Sequence, residues 1–374
     1  MDSCNQMNPR RISLLLFSIF FLLVASPAQE KPKTVYVDAS AFPVYGKAVT
    51  NTSGRYERLP VAYRKLTRGE VWGLGRQSSG LSVRFRSNST SVSLRWVSAG
   101  LGSSNHMTDT GTRGLDLYAR NPGSSEWRFV RSARPERDTL NDKSLISNME
   151  PLMREYVVYL SIYEGVKRLE IGVDEGAVID LPALDSPRKG NPIVMYGSSI
   201  LQGGCANRPG MAYTNILSRK LDREVVNLGF SGNAVLDYEI ADLMASVENP
   251  SLFVLDNLPN SDATLIEEKE EKFFRILREA HPDVPVIFIE DPNYPHLIFD
   301  KKRAADVASR NAALRKVFQN LKRAGEKRIY YIKSDTMLGT DGEATVDGTH
   351  FTDLGMMRYT DHVLPTFRKA LRKR

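Results

Sequence analysis

Two different hydrophobic periods divide the chain into halves. From about residue 33 to residue 183, apolar and polar residues alternate in short runs, most clearly in 81–85 and 92–96. This period of two predicts half-buried strands, and the polar residues 87–90 between these runs predict a hairpin. Further strands are predicted at Leu115–Ala119, Trp127–Val130, Glu155–Ser161 and Lys167–Val173. Short, regularly spaced strands without a long helix favour an antiparallel sandwich of jelly-roll type.

The second half alternates strands with helices. Residues 184–192 are polar and rich in helix and strand breakers, which predicts a linker. The strands are predicted at 192–196, 224–228, 252–258, 285–290 and 328–332, and the helices at 211–221, 238–247, 265–280 and 304–323. Strands that are apolar on both faces and separated by helices form a parallel sheet covered on both sides. We therefore predict a sandwich domain at 29–186 and an α/β domain at 187–374.

The N-terminus has the three-part pattern of a secretory signal peptide. Arg10 and Arg11 precede an apolar run at 12–24, and small residues follow at 25–28. The apolar run is too short for the roughly 20 residues that span a bilayer, which argues against a membrane anchor. We therefore expect residues 1–28 to be cleaved and the protein to be secreted or periplasmic.

Composition places the chain among soluble globular proteins. Hydrophobic residues make up 41% and charged residues 25% of its 374 residues, a length that suits two domains. The net charge of +7 comes from interspersed charges of both signs, so binding to nucleic acid has little support. Cleavage after Ala28 would remove Cys4 and leave Cys205 as the only cysteine. Stability must then come from packing rather than from disulfides.

Candidate chemistry lies in four short segments, three at predicted strand ends and one before the last helix. The segments are Gly197-Ser198-Ser199-Ile200, Ser231-Gly232, Leu258-Pro259-Asn260-Ser261 and Asp347-Gly348-Thr349-His350. Ligands of open α/β sheets bind beyond the carboxyl ends of the strands, where such loops converge. A serine hydroxyl needs an imidazole to take its proton and a carboxylate to orient that imidazole. Ser199, His350 and Asp347 supply these groups if the fold brings them together.

Each segment also has an ordinary structural interpretation. Ser198 and Ser199 fit a turn at a strand end, Gly232 fits a turn with positive φ, and Asn260 fits a helix cap. His350 in turn fits a surface position at a helix N-terminus. Their joint occurrence in this order favours a catalytic site over four unrelated turns.

The four segments resemble the sequence blocks of the SGNH (GDSL) hydrolase family, from about residue 192 to the end of the chain. Ser199 matches the nucleophile of the first block, and Asp347 and His350 match the Asp-x-x-His block. The resemblance implies a flavodoxin-like, three-layer α/β fold and a serine esterase without metal or organic cofactor. It also implies an oxyanion hole formed by Ser199, Gly232 and Asn260.

The sequence departs from the family pattern at two places. Ser198 replaces an Asp of the first block, and Pro259 and Ser261 replace the residues beside Asn260. Neither change removes a group that performs the reaction. Both changes leave the substrate range open.

The residues after Ser199 resemble a secreted bacterial subgroup that carries a sandwich domain in front. Together with export, this likeness predicts hydrolysis of acyl esters, first of all acetyl esters on a polysaccharide. Ser198, Gln202 and His296 are predicted to contact the substrate. A lipase or arylesterase acting on lipid or small esters is an alternative, as is a non-catalytic carbohydrate-binding protein. The sequence does not determine the oligomeric state.

His106, His281 and His362 are predicted to have structural or surface roles, and Cys205 a structural one. His106, His281, His296 and His362 have no metal-ligand partner at a useful spacing, so no metal site is predicted. Cys205 follows Ser199 closely in the sequence, and a small buried residue is the simpler interpretation of it.

Overall fold

Residues 33–372 are described by a computed structural model of the chain. The predicted signal peptide, residues 1–28, lies outside the described residues. From Thr34 onward, the β-rich half and the α/β half pack into one unit. Loops of the first half therefore contact the sheet of the second.

Ten strands of the first half form two antiparallel sheets. The strands are β1 (Thr34–Asp38), β2 (Val44–Tyr45), β3 (Ser82–Ser87), β4 (Val92–Ser98), β5 (Leu115–Arg120), β6 (Arg128–Ala133), β7 (Leu140–Ile146), β8 (Arg154–Tyr159), β9 (Val166–Asp174) and β10 (Ile179–Asp180). One sheet has the order β1-β9-β4-β7, and the other has the order β10-β3-β8-β5-β6 with β2 beside β3. Three short helices accompany them: α1 (Tyr63–Leu66), α2 (Gly69–Gly75) and α3 (Asp109–Thr112).

The two sheets share one apolar core, and the period-two residues fill it. Residues 81–85 and 92–96 alternate into this core, where Trp96 is fully buried. The predicted hairpin between these runs is wrong, because β3 pairs with β8 whereas β4 pairs with β7 and β9. The alternation determines which face of each strand is buried. It does not determine the neighbouring strand, because the same residues are buried whether β3 and β4 pair with each other or lie in opposite sheets.

Four strands lack a sequence signal. β1, β2, β7 and β10 are not predicted, and each pairs with only one other strand in the described part of the chain. β7 illustrates the reason, because most of its residues are exposed or half-buried and only two are buried. A strand with so few buried side chains has no clear hydrophobic alternation.

The second half contains a five-stranded parallel sheet. Its strands are β11 (Arg188–Gly197), β12 (Arg223–Gly229), β13 (Leu252–Asp256), β14 (Val286–Ile289) and β15 (Ile329–Ile332). Their order, β12-β11-β13-β14-β15, is the flavodoxin-like order of doubly wound folds. The predicted α/β fold is thus confirmed. The carboxyl ends of β11, β12 and β13 lie side by side at one edge of the sheet.

Helices cover both faces of this sheet and make a three-layer arrangement. The helices are α4 (Ser199–Gln202), α5 (Tyr213–Leu221), α6 (Tyr238–Ala245), α7 (Ala263–Ala280), α8 (Lys301–Arg323) and α9 (Asp353–Leu371). α6, α7 and most of α8 pack on one face, and α5 and α9 pack on the other. Among the described helices, none is both long and apolar enough to cross a bilayer.

Candidate active site

Ser199 lies at the start of α4, directly after β11. The Oγ of Ser198 accepts a hydrogen bond from the backbone N–H of Ile200 at 3.3 Å and caps this single helical turn. Gly203 ends the turn with φ of +108°, a conformation that favours glycine. The strand-to-helix turn holds the Ser199 side chain at the carboxyl edge of the sheet, where Ser199 remains 6% exposed.

Asp347 and His350 are joined by a tight turn just before α9. Asp347 Oδ1 accepts the backbone N–H groups of Thr349 at 3.0 Å and of His350 at 2.8 Å. Asp347 Oδ2 lies 2.7 Å from His350 Nδ1. Gly348 has φ of +88°, which lets the chain turn within this spacing. The carboxylate of Asp347 therefore fixes both the backbone of the turn and the orientation of the His350 imidazole.

The fold brings the predicted nucleophile and base together from distant parts of the sequence. Ser199 Oγ lies 2.9 Å from His350 Nε2. With the proton on Nδ1, the ring donates to Asp347 and its Nε2 accepts the hydroxyl proton of Ser199. The side chains of His350 and Asp347 are 22% and 36% exposed, so the base lies at the protein surface.

Hydrogen bonds keep Asp347 ionised. Partial burial by itself raises the pKa of this carboxyl group. The hydrogen bonds from the His350 side chain and from the backbone N–H groups of His350 and Thr349 outweigh this effect and lower the pKa to about 2. Asp347 can therefore orient the imidazole as a carboxylate at any pH above about 2.

Two of the predicted oxyanion-hole donors have a geometry compatible with that role. Gly232 has φ of +69°, and a Cβ added there would meet no atom within 4 Å, so space is open beside its backbone. Asn260 Oδ1 accepts the backbone N–H of Ala234 at 3.2 Å. This hydrogen bond sets the orientation of the amide and leaves Nδ2 as a donor for a ligand.

The predicted substrate contacts at Ser198 and Gln202 are not supported by their placement. Both residues are completely buried. Gln202 Nε2 donates to Gln77 Oε1 at 2.5 Å and to the carbonyl oxygen of Ile162 at 3.3 Å, and its Oε1 accepts the N–H of Ser231 at 3.0 Å. Gln202 thus ties the turn before Gly232 to the first half of the chain.

His296 borders the Asp347–His350 turn. Its ring stacks on Tyr294 with centroids 5.9 Å apart, and a Cβ added at Gly348 would lie 3.1 Å from its Nδ1. The residue is half-buried. A contact between His296 and the substrate therefore stays a prediction that this position permits.

A buried arginine of the first half holds the carboxyl end of β12. Arg58 Nη1 donates to the carbonyl oxygens of Asn227 at 3.2 Å and of Gly229 at 2.7 Å. Its remaining guanidinium nitrogens donate to the carbonyl oxygens of Gln77 and Leu74, and burial lowers the pKa of Arg58 to about 9. The sequence offered no sign of this role, because arginine is normally a surface residue.

A second contact between the halves holds the loop that follows α4. Asp116, completely buried in β5, accepts Arg208 Nη1 at 2.7 Å, the N–H of Gly210 at 2.8 Å and Ser132 Oγ at 2.5 Å. Arg208 Nη1 also donates to Tyr118 Oη at 2.8 Å. A carboxylate within the apolar alternation of β5 is the sequence signal that could have identified this contact.

Replacing Asp116 by Ala is expected to destabilise the protein by about 3–5 kcal/mol. The change leaves Arg208, whose side chain is only 20% exposed, and the N–H of Gly210 without their acceptor. Urea denaturation followed by circular dichroism measures this loss. Asp142→Ala is the matched control, because Asp142 is a surface carboxylate paired with Arg95, and a change there costs at most about 1 kcal/mol. Equal losses in the two variants would contradict the prediction.

Comparison with known families covers nearly the whole described chain. The model of the GDSL-like lipase/acylhydrolase family matches residues 190–368. The GxDLY model, which describes the N-terminus of SGNH-hydrolase-type esterases, matches residues 34–179. This second match includes Gly114-Leu115-Asp116-Leu117-Tyr118, the segment that holds Arg208. A comparison with curated proteins gave no match.

Solved structures with the same architecture include hydrolases and a transferase. A salicylyl-acyltransferase from a tetracycline biosynthetic pathway is 17% identical, with a TM-score of 0.73 over 91% of this chain and 99% of that chain. A family two carbohydrate esterase from Cellvibrio japonicus is 13% identical, with a TM-score of 0.57 over 91% of this chain and 98% of that chain. At these identities the likeness shows a shared fold.

A more similar structure establishes the family. It is a protein from Bacteroides ovatus assigned to the GDSL-like lipases, 34% identical with a TM-score of 0.85, and the match covers 91% of this chain and 98% of that chain. The two family models and this relative span both halves of the molecule. The chain therefore belongs to the GDSL-like lipase/acylhydrolase family, the SGNH hydrolases.

Proposed function

We propose that this protein is a serine esterase that hydrolyses acyl esters through an acyl-Ser199 intermediate. The observation that carries the proposal is the continuous hydrogen-bonded chain from Ser199 Oγ to His350 Nε2 at 2.9 Å and from His350 Nδ1 to Asp347 Oδ2 at 2.7 Å. A hydroxyl, an imidazole and a carboxylate in this order can activate the hydroxyl as a nucleophile. The family assignment supports the same chemistry.

The reaction would proceed in two halves. His350 takes the proton of Ser199 while Oγ forms a bond to the ester carbonyl carbon. The resulting oxyanion accepts hydrogen bonds from the N–H groups of Ser199 and Gly232 and from Asn260 Nδ2. The bond to the alcohol then breaks, and the alcohol leaves with the proton held by His350. A water molecule, deprotonated by His350, then attacks the acyl carbon. The bond from this carbon to Ser199 Oγ breaks, His350 returns the proton to Oγ, and the acid leaves.

We further propose that the substrate is an acetyl ester on a polysaccharide and that the protein acts outside the cytoplasm. The exposure of the His350 side chain supports this choice, since an ester on a long polymer must reach the base at the surface. The predicted signal peptide at residues 1–28 supports export. In this proposal the segment 29–186 is the sandwich domain that positions the loops of the catalytic domain, 187–374.

Acetate release from a panel of acetylated polysaccharides tests the substrate class. The full-length protein would be incubated with acetylated xylan, acetylated glucomannan and acetylated pectin, with 4-nitrophenyl acetate as a small reference ester. Hydrolysis of one polymer with a kcat/KM at least as high as that of the reference ester supports the proposal. Activity on the reference ester without any release from the polymers would contradict it.

One observation favours lipid or small aryl esters as a second candidate class. Ile298 and Phe299 are 79% and 84% exposed, and they follow His296 beside the Asp347–His350 turn. Apolar side chains at this position could contact a long acyl chain. If they do, Ile298→Ser/Phe299→Ser will lower activity toward 4-nitrophenyl octanoate and leave activity toward 4-nitrophenyl acetate unchanged. Equal effects on both esters would exclude this contact.

Replacing Asn260 by Ala is expected to lower kcat by about 10²–10³-fold, which corresponds to about 3–4 kcal/mol in the barrier. The reason is the loss of one donor to the oxyanion. Asn260→Asp is the informative companion variant, because it keeps an acceptor for the N–H of Ala234 but cannot donate. Both variants should therefore lose activity, while the melting temperature should fall less in Asn260→Asp. Full activity in Asn260→Asp would remove Asn260 from the oxyanion hole.

A further inference from the structure

A cysteine and two histidines from three parts of the chain meet next to Ser199. One ring nitrogen of His106, the Sγ of Cys205 and one ring nitrogen of His350 all lie within 4.8 Å of one another. The ring centroids of His106 and His350 are 5.4 Å apart. His106 belongs to a loop of the first half, so the packing of the two halves creates this group.

The backbone around Cys205 holds its thiol in place. Cys205 is buried, and its φ of +67° is uncommon for a residue with a side chain. Its Sγ lies 3.4 Å from the carbonyl oxygen of His106. The preceding Gly204 allows a close approach, because a Cβ there would lie 3.2 Å from His350 Cδ2. The turn after α4 thus places the thiol within 4.8 Å of a ring nitrogen of His350.

Both histidines are oriented through the same ring nitrogen. His350 Nδ1 contacts Asp347 Oδ2 at 2.7 Å, and His106 Nδ1 contacts Ser104 Oγ at 2.9 Å and Asn105 Oδ1 at 3.1 Å. Histidines that bind a metal generally use one ring nitrogen for the ion and the other for such a polar partner. This leaves the Nε2 atom of each ring as the candidate ligand, and in His350 an ion would compete there with Ser199 Oγ, which lies 2.9 Å away.

We propose that His106, Cys205 and His350 bind one divalent transition metal of the Zn²⁺ class, and that the bound ion inhibits the esterase. Two imidazoles and a thiolate are ligands that Zn²⁺ prefers, and they leave a fourth tetrahedral position for water or Ser199 Oγ. The Cys205 thiol releases its proton to the solvent when the metal binds. The inhibition, but not the binding, rests on the proposed function.

The three side chains need to move only slightly toward one another to bind an ion. Bond lengths of about 2.0–2.1 Å to nitrogen and about 2.3 Å to sulfur place tetrahedral ligands roughly 3.5 Å apart. The ligand atoms lie within 4.8 Å of one another, so a shortening of roughly 1 Å reaches this spacing. His106 is exposed, so an ion can enter from the solvent. Once bound, the ion occupies the lone pair of His350 Nε2 that would otherwise take the proton of Ser199.

Cobalt binding to the full-length protein tests the site without reference to activity. Co²⁺ is expected to bind with a stoichiometry of one and to give the near-ultraviolet charge-transfer absorption of a thiolate–cobalt bond. Cys205→Ser should abolish this absorption, and His106→Ala should weaken binding by more than about 100-fold, since losing even a residue that orients a ligand costs about 10–100-fold. His362→Ala is the matched control, because its Nε2 contacts the carbonyl oxygen of Lys333 outside this group.

Zinc titration of ester hydrolysis tests the consequence. Zn²⁺ should inhibit the wild-type protein and the His362→Ala variant reversibly, with recovery on addition of EDTA, and should inhibit His106→Ala only at much higher concentration. Equal inhibition or equal Co²⁺ affinity in wild type and His106→Ala would overturn the proposal. This criterion does not depend on the Cys205→Ser variant, so it holds even if that variant fails to fold. A thiolate–cobalt band in a protein whose Ser199→Ala variant remains active would instead leave the metal site standing and refute the proposed function.

Discussion

Replacing Ser199 by Ala is expected to lower kcat for 4-nitrophenyl acetate by about a millionfold, because loss of the nucleophile removes the function of the whole hydrogen-bonded chain. The remaining oxyanion donors and substrate binding sustain only a small residual rate. The variant removes a single hydroxyl and keeps the Cβ of Ser199, so the melting temperature should stay close to that of the wild type. Steady-state hydrolysis and differential scanning calorimetry measure the two quantities.

Ser198→Ala is the matched control for this experiment. Ser198 Oγ caps α4 through the N–H of Ile200, so its loss should cost about 1 kcal/mol of stability and leave the chemistry in place. A fluorophosphonate probe should label the wild type and Ser198→Ala, but not Ser199→Ala. Labelling or full turnover in Ser199→Ala would place the nucleophile elsewhere.

Replacing Asp347 by Asn is expected to lower kcat by about 10⁴-fold with little change in KM. An amide at this position can donate to His350 Nδ1, which favours the tautomer with the proton on Nε2. That tautomer cannot accept the proton of Ser199. Asp341→Asn provides the control, because Asp341 is a carboxylate in the same loop that pairs with Arg358 at 2.7 Å. Its loss should leave kcat unchanged, and a comparable loss in both variants would indicate a general distortion of the loop.

The low pKa of Asp347 gives a definite pH dependence. Its folded-state pKa of about 2 lies below the value of about 3.9 for a free aspartate. The ionised carboxylate therefore stabilises the folded turn above the unfolded pKa, and this contribution is lost as the pH falls through about 2. We therefore expect that Asp347 does not produce the acid limb of the wild-type kcat/KM profile. An acid limb that disappears in Asp347→Asn would contradict this expectation.

Local sequence patterns were sufficient to predict the α/β half and the order of its site residues. Buried strands that alternate with amphipathic helices bury all their apolar faces in a parallel sheet covered by helices on both sides. Because the carboxyl ends of such strands share one edge, the loops after β11, β12 and β13 had to converge. Ser199, Gly232 and Asn260 could therefore be placed near one another from the sequence.

The same patterns could not determine partners that lie far away in the chain. Alternation buries one face of β3 and β4 equally well in a hairpin or in opposite sheets, and only the packed structure selects the second. Likewise, the sequence around Gln202 is the same whether its side chain contacts a substrate or another part of the protein. Its complete burial against Gln77 becomes visible only when the two halves are packed together.

The sequence by itself predicted the kind of chemistry, because a serine, an aspartate and a histidine occur at positions that strand and turn geometry can bring to one edge. The tertiary structure decided what surrounds those groups. Arg58, Asp116 and His106 come from the first half and contact a strand end and the loops of the second half through long-range packing. Hydrophobic periodicity reports which side of an element is buried. It carries no information on which distant loop will lie against that side.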